Sequence, residues 1–267
     1  MLLDLSYKNL TTIPDIPNDI TELDLSHNQI KIIHEGCFPE GLKIINLSCN
    51  NITKLTPNCF PTKLQSLILN DNKISKLITN CFPFGLQLLL MQHNCITELS
   101  NKCFPNGLKD LWLCNNKITH LTPNCFPNKL TTLSLSYNKI TNIKQSYFPK
   151  ELQVLYICAN EITKLSQGCF PKKLRKLLLN FNKISDMCKG CFPPQLEELW
   201  LMDIGNIYIN PHYLPENLKT LHIYHDGMYV VKHLDEIPTP TYISQKSNEK
   251  RTRDNEHVTP NKKAKIY

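Results

Sequence analysis

Residues 106–127 read NGLKDLWLCNNKITHLTPNCFP. The 22 residues before them, 84–105, read FGLQLLLMQHNCITELSNKCFP, and the 22 after them, 128–149, read NKLTTLSLSYNKITNIKQSYFP. Laid over one another without a gap, the three stretches share one frame, L-x-x-L-x-L-x-x-N-x-I-x-x-L-x-x-x-C-F-P, from which only Met91, Ile143 and Tyr147 depart. The frame runs outward in both directions. Its asparagine returns as Asn28, Asn50, Asn72, Asn94, Asn116, Asn138, Asn160 and Asn182 at a constant spacing of 22. A fixed period of this length marks a chain built from stacked copies of one small unit.

Each slot of the frame has a physical reading. The L-x-L alternation has the period of two of a β-strand with one face turned inward. Strands are therefore expected at Leu23–Leu25, at Ile45–Leu47 and every 22 residues on to Leu199–Leu201. Ile118 and Leu121, with their equivalents, continue the core as the chain turns away. The asparagine carboxamide offers two donors and an acceptor to the backbone groups that the turn leaves unpaired. Phe38, Phe60, Phe82, Phe104, Phe126, Phe148, Phe170 and Phe192 form a second ladder on the outer side. The proline that follows each of them fixes φ and cannot continue a helix. Turns and short 3₁₀ pieces are expected there.

The first unit differs. Residues 10–30, LTTIPDIPNDITELDLSHNQI, carry a 20-residue spacing and an I-P-x-I-P punctuation. At the other end Ile204 and Asp226 stand in the asparagine slot and Leu214 in the phenylalanine slot, as expected of terminal repeats. No separate cap precedes the first strand, so residues 1–10 are expected either to cap the stack themselves or to need cover.

The frame resembles the leucine-rich-repeat family over roughly residues 2–234. That resemblance implies an α/β-type repeat solenoid, a horseshoe with one parallel strand per repeat on its concave face. The solenoid is expected over residues 1–236, as about ten repeats degenerate at both ends. The proline-punctuated first unit is similar to the short repeats of bacterial effector proteins delivered into host cells. The tandem C-F-P frame, in a chain rich in Asn, Lys and Ile, is similar to the leucine-rich-repeat proteins of large DNA viruses that infect amoebae. Those resemblances imply a host protein as the partner.

Charge and chemistry narrow the function. Residues 237–267 are poor in apolar residues and rich in charge, and a disordered basic tail is expected. With the seven basic and three acidic residues of 246–267 set aside, the body holds 23 basic and 20 acidic residues, an excess of only three. Arginine occurs only at 175, 251 and 253, which disfavours nucleic acid as the partner. No stretch approaches the ~18 apolar residues of a membrane span, and Asp4 interrupts any signal-peptide pattern. An intracellular, reducing setting follows as the expectation. The twelve cysteines should then be thiols, and Cys37, Cys59, Cys81, Cys103, Cys125, Cys169 and Cys191 should pack as small apolar groups in one slot. Cys188 and Cys191 form a lone C-x-x-C with no second half of a zinc site. Cys49 with His27 or His93 is the nearest thing to a catalytic pair, and isolated histidines there read as surface. Phosphate loops and hydrolase or metalloprotease motifs are missing. The expectation is a protein that is not an enzyme and takes no cofactor or metal.

The slot between the two strand leucines reads Asp24, Asn46, Ile68, Leu90, Trp112, Ser134, Tyr156, Leu178, Trp200, His222. A solvated face would be polar throughout. Ile68, Leu90, Trp112, Tyr156, Leu178 and Trp200 are therefore the candidate protein-binding residues, with Asp110, Lys176, Glu198 and Asn180 as a polar surround. Lys250, Arg251, Lys262, Lys263 and Lys265 form two basic clusters similar to a bipartite nuclear-import signal. Three readings stay open: a protein-binding module, a nuclear, nucleic-acid-associated protein using its tail, and a structural or relic array.

Overall fold

The structure is a computed structural model that describes residues 1–204, 207–225, 228–232 and 241–243. Three-residue strands recur once per repeat: Leu2–Asp4, Glu22–Asp24, Ile44–Asn46, Ser66–Ile68, Leu88–Leu90, Asp110–Trp112, Thr132–Ser134, Val154–Tyr156, Lys176–Leu178 and Glu198–Trp200, then the longer Thr220–His225. Each pairs in parallel with the next in chain order. Met228–Lys232 folds back antiparallel on Thr220–His225 and completes a twelve-stranded sheet. The chain is thus a parallel solenoid, and Leu2–Asp4 supplies its first strand.

The strands sit one residue earlier than the L-x-L pattern predicts. Each is centred on the first leucine of the pair, with an outward residue on either side. The second leucine carries the ladder one bond further, as when Leu25 N–H donates to the Asn46 carbonyl at 2.8 Å. Both leucines are buried in every full repeat, with Met91 and Ile157 taking the second place where they occur.

Behind the sheet lie the isoleucine slot and then the phenylalanines. Phe38 and Phe60 stack with ring centroids 6.0 Å apart, and Phe104 and Phe126 at 6.3 Å. The proline after each phenylalanine opens a tight turn, in which the N–H three residues on returns to the proline carbonyl (Leu64 to Pro61, 3.2 Å). The described residues contain no α-helix. Two 3₁₀ turns occur, Gln145–Tyr147 and Pro211–Tyr213. Both fall where tyrosine replaces the slot's cysteine. Tyr147 and Tyr213 are half-buried where most of the cysteines are buried, and the larger ring is accommodated by winding the turn tighter.

The asparagines hold coil to coil. Asn116 donates from Nδ2 to its own Leu113 carbonyl at 3.1 Å and to the Met91 carbonyl of the coil before at 3.0 Å. Its Oδ1 accepts from Ile96 N–H of that same earlier coil at 3.0 Å. Asn50, Asn72, Asn94, Asn138, Asn160 and Asn182 repeat these bonds at the same separations. The residue before each asparagine is left-handed, from His27 at φ 54° through Cys49, Asp71, His93, Asn115, Tyr137 and Ala159 to Phe181 at φ 57°. None is glycine. A left-handed non-glycine residue costs ~1–2 kcal/mol, and here its own N–H is fixed on the next coil, as in Cys49 to the Asn70 carbonyl at 3.0 Å.

At the C-terminal end Ile204 fills the asparagine slot as a fully buried side chain. Within the segment expected to be a disordered tail, Thr241–Ile243 is a strand, antiparallel to Ile207–Ile209. Both strands are rich in β-branched and aromatic residues, which suit a ladder, and the low apolar content of 237–267 as a whole hid this short run. The clusters at Lys250, Arg251, Lys262, Lys263 and Lys265 lie outside the described residues.

All twelve cysteines are free thiols. Burial pushes Cys59 and Cys125 up to about 11 and Cys81, Cys103, Cys169 and Cys191 up to about 12, from an ordinary 9.0. A raised thiol favours the neutral form in the fold, so it stabilises below the unfolded value and loses that stabilisation as pH rises through the folded one.

These ladders and thiols make three testable predictions. Replacing Asn116 by Ala strands the buried Ile96 N–H and leaves Met91 O and Leu113 O with the single bonds from Asn94 and Asn138, at ~1–3 kcal/mol for the stranded group, and the urea midpoint should fall accordingly; an unchanged midpoint would mean the side chain carries no inter-coil bond. The folded chain should lose stability from about pH 9 upward as the unfolded thiols ionise. Iodoacetamide under denaturing, non-reducing conditions should label all twelve cysteines by mass spectrometry, whereas several unlabelled cysteines would mean disulfides.

Candidate functional site

Because each strand exposes one residue on either side of its core leucine, the concave face carries two columns. Register alignment every 22 residues brings like positions side by side. In the second column Ile68 pairs with Leu90, Leu90 with Trp112, Trp112 with Ser134, Ser134 with Tyr156, Tyr156 with Leu178, and Leu178 with Trp200. The six candidate residues therefore lie on one line broken only by Ser134. Neighbouring strands are ~4.8 Å apart, which sets the pitch of the row.

The row is not uniformly open. Trp112 and Tyr156 lean together across the intervening strand, with ring centroids 5.5 Å apart at 27°, and Ser134 beneath them is 2% exposed. Leu178 was expected to face solvent and does not: it is 6% exposed. It lies between Tyr156 and Trp200 in register, and two neighbours larger than itself close over it. Ile68, Leu90, Trp112, Tyr156 and Trp200 are half-buried, as expected of side chains that stand on a sheet and shield one another.

Trp200 is held on two sides, and one of its partners is itself held by a lysine. Its indole Nε1 donates to Glu198 Oε1 at 2.7 Å, its ring stacks on His222 at 3.8 Å, and Lys176 Nζ binds the same Glu198 oxygen at 3.0 Å. Burial holds the His222 imidazole below its ordinary value against the opposing pull of Glu198. Asn180, placed in the polar surround from the sequence, is buried and accepts Met202 N–H on Oδ1 at 2.9 Å. It is a structural brace.

The charges of the two columns are one-sided. Asp4, Glu22, Asp24, Asp110 and Glu198 face Lys176 alone. This acidic strip lines a body whose overall charge is basic.

Tyr137 and Phe181 escaped the sequence reading. They occupy the left-handed slot at the rim of the face and are 49% and 50% exposed. The signal was an aromatic side chain in a slot otherwise held by His, Cys, Asp, Asn or Ala. His27, Cys49 and His93 share that slot. They are on the rim rather than on a strand, and His27 is stacked on Tyr7 at 4.2 Å. Cys188 Sγ points to the Leu165 carbonyl at 3.5 Å, and among the described residues no group of three or more His, Cys, Asp or Glu is arranged to hold a metal ion.

Comparison with known proteins agrees with the geometry. The leucine-rich-repeat family matches at residues 18–62 and 128–172, and a single-repeat form of it at residues 107–128. No curated protein matches the chain. Among solved structures, YopM from Yersinia enterocolitica WA-314 superposes at a TM-score of 0.62 and 24% identity, over 81% of this chain and 46% of YopM. TLR13, in its crystal structure with ssRNA13, superposes at 0.68 and 26% identity, over 77% of this chain and 33% of TLR13. The chain thus spans less than half the length of either protein. The 22-residue frame and the parallel sheet of one strand per coil show a leucine-rich-repeat fold, and the matched segments are similar to the leucine-rich-repeat family.

Proposed function

We propose that this chain is a non-catalytic binding protein that takes a protein partner on its concave face, with Trp112, Tyr156 and Trp200 as anchors. The observation that carries this reading is the row itself. Half-buried apolar and aromatic side chains run along one line of a face that water would otherwise keep polar. A contiguous apolar surface of this kind marks an interaction site, and Trp and Tyr dominate interface energetics. The rings are pre-positioned by stacking on each other and on His222, which lowers the ordering cost of binding.

The TLR13 structure holds RNA, which keeps a nucleic-acid ligand in view. The acidic strip favours protein on this face, since phosphate would meet Asp110 and Glu198 with only Lys176 to receive it. An intracellular setting fits the row of buried thiols, and the partner is then a protein of the host cell.

The double variant Trp112→Ala, Tyr156→Ala tests the proposal. The lost ring pair should lower stability by about 0.5–1.5 kcal/mol beyond the loss of the apolar area the two half-buried rings cover. Partner recovery from cell lysate should fall by about thirtyfold, the equivalent of a hot spot of ~2 kcal/mol. Unchanged recovery with intact folding would move the binding site off the concave face.

A further inference from the structure

The concave face carries the same acid–tryptophan arrangement twice, and only one copy is filled. In the first, Glu198 and Trp200 stand two residues apart on one strand, and Lys176 is the register partner of Glu198 on the strand before. The carboxylate oxygen that accepts the indole N–H also binds the Lys176 ammonium. In the second, Asp110 and Trp112 stand in the same two positions, and Leu88 is the register partner of Asp110. The leucine brings no cation. Among the described residues Asp110 makes no ion pair and no side-chain hydrogen bond, and nothing links it to Trp112. Aspartate is one methylene shorter than glutamate, and Trp112 leans instead toward Tyr156.

We propose that Asp110, Trp112 and Tyr156 receive a cationic side chain, a lysine ammonium or an arginine guanidinium, presented by the protein partner. This rests on the concave-face reading above and names the chemistry at its centre. Asp110 and Trp112 are separated by about 7 Å along the strand, so one cation lies between carboxylate and ring. Its charge pairs with the carboxylate while its flank rests on the negative face of the aromatic pair. Leu88 and Leu90 on the adjoining strand supply an apolar wall for the methylene stem. The register partners of Asp110 are Leu88 and Thr132, so its carboxylate meets no cation from either adjoining strand. In the filled copy Lys176 shows that a cation reaches the carboxylate of such a pair from the adjoining strand.

The full chain carrying Trp200→Phe leaves Trp112 as its single tryptophan, whose fluorescence reports on the site. The probes are three eight-residue peptides alternating glycine with arginine, lysine or glutamate. The arginine and lysine peptides should shift the Trp112 emission saturably, and the glutamate peptide should not. Asp110→Asn should weaken the response about tenfold. Leu88→Lys, which gives the empty copy the lysine of the filled one, should weaken it to a similar degree by occupying Asp110 from within. Glu151→Gln, an ion-pair partner of Lys173 away from the face, should leave it unchanged. Urea unfolding of each variant confirms that the fold is intact. Equal binding by Asp110→Asn and the parent, or an equal response to the glutamate peptide, overturns the inference. If Trp112→Ala, Tyr156→Ala loses its lysate partner while Asp110→Asn binds the basic peptides as the parent does, the concave reading stands and the cation site falls.

Discussion

One carboxamide is shared between two coils at every turn of this solenoid. A coil that reverses direction inside a protein strands backbone carbonyls and N–H groups where water cannot reach them, and each one left unpaired is costly. Asn94 answers this by donating to Met91 O on its own coil and Leu69 O on the previous one, while accepting from Ile74 N–H of that previous coil. The bond satisfies the turn and at the same time sets the spacing and register of successive coils. Every other alignment follows from it: leucine on leucine, phenylalanine ring on phenylalanine ring, and the two exposed columns of the concave face.

That enforced register gives the concave surface its character. Side chains 22 residues apart lie on adjacent strands, so a residue type repeated every second coil, such as Trp112 and Tyr156, meets across the gap. The left-handed residue before each asparagine belongs to the same geometry. Its N–H is fixed on the next coil, and the conformation is imposed on Cys, Asp, Tyr and Phe alike. In a one-dimensional array of this kind, stability is a sum of coils and their interfaces. A weakened rung is felt by its neighbours, while a half-buried ring on the concave face can change for binding at less cost to the stack.

Much of this is legible in the sequence, and the remainder fails for identifiable reasons. The period, the asparagine ladder, the phenylalanine ladder and the turn-rich outer side each follow from a residue type that only one environment accommodates. The strand placement misses by one residue because the L-x-L pattern marks burial, and the hydrogen bonds are centred on its first leucine. Leu178 was placed in solvent because the slot faces solvent. Its burial depends on the size of Tyr156 and Trp200, which no single repeat contains. The left-handed slot has no common residue type to reveal it. The pairing of Thr241–Ile243 with Ile207–Ile209 joins segments over thirty residues apart, beyond any local pattern. Asp110 was assigned to a polar rim. Its importance emerges only from comparing two coils in register, where Lys176 fills one copy and Leu88 leaves the other empty.

The proposed binding site is the concave sheet. A photo-crosslinking residue placed in vivo at Leu90, within the aromatic row, and in a second protein at exposed Lys76 tests it most directly. Lys76 shares the slot of Lys164, off the concave sheet. Irradiation should trap a partner from position 90 and none from position 76. Adducts from position 76 with none from position 90 would put the binding site off the concave sheet.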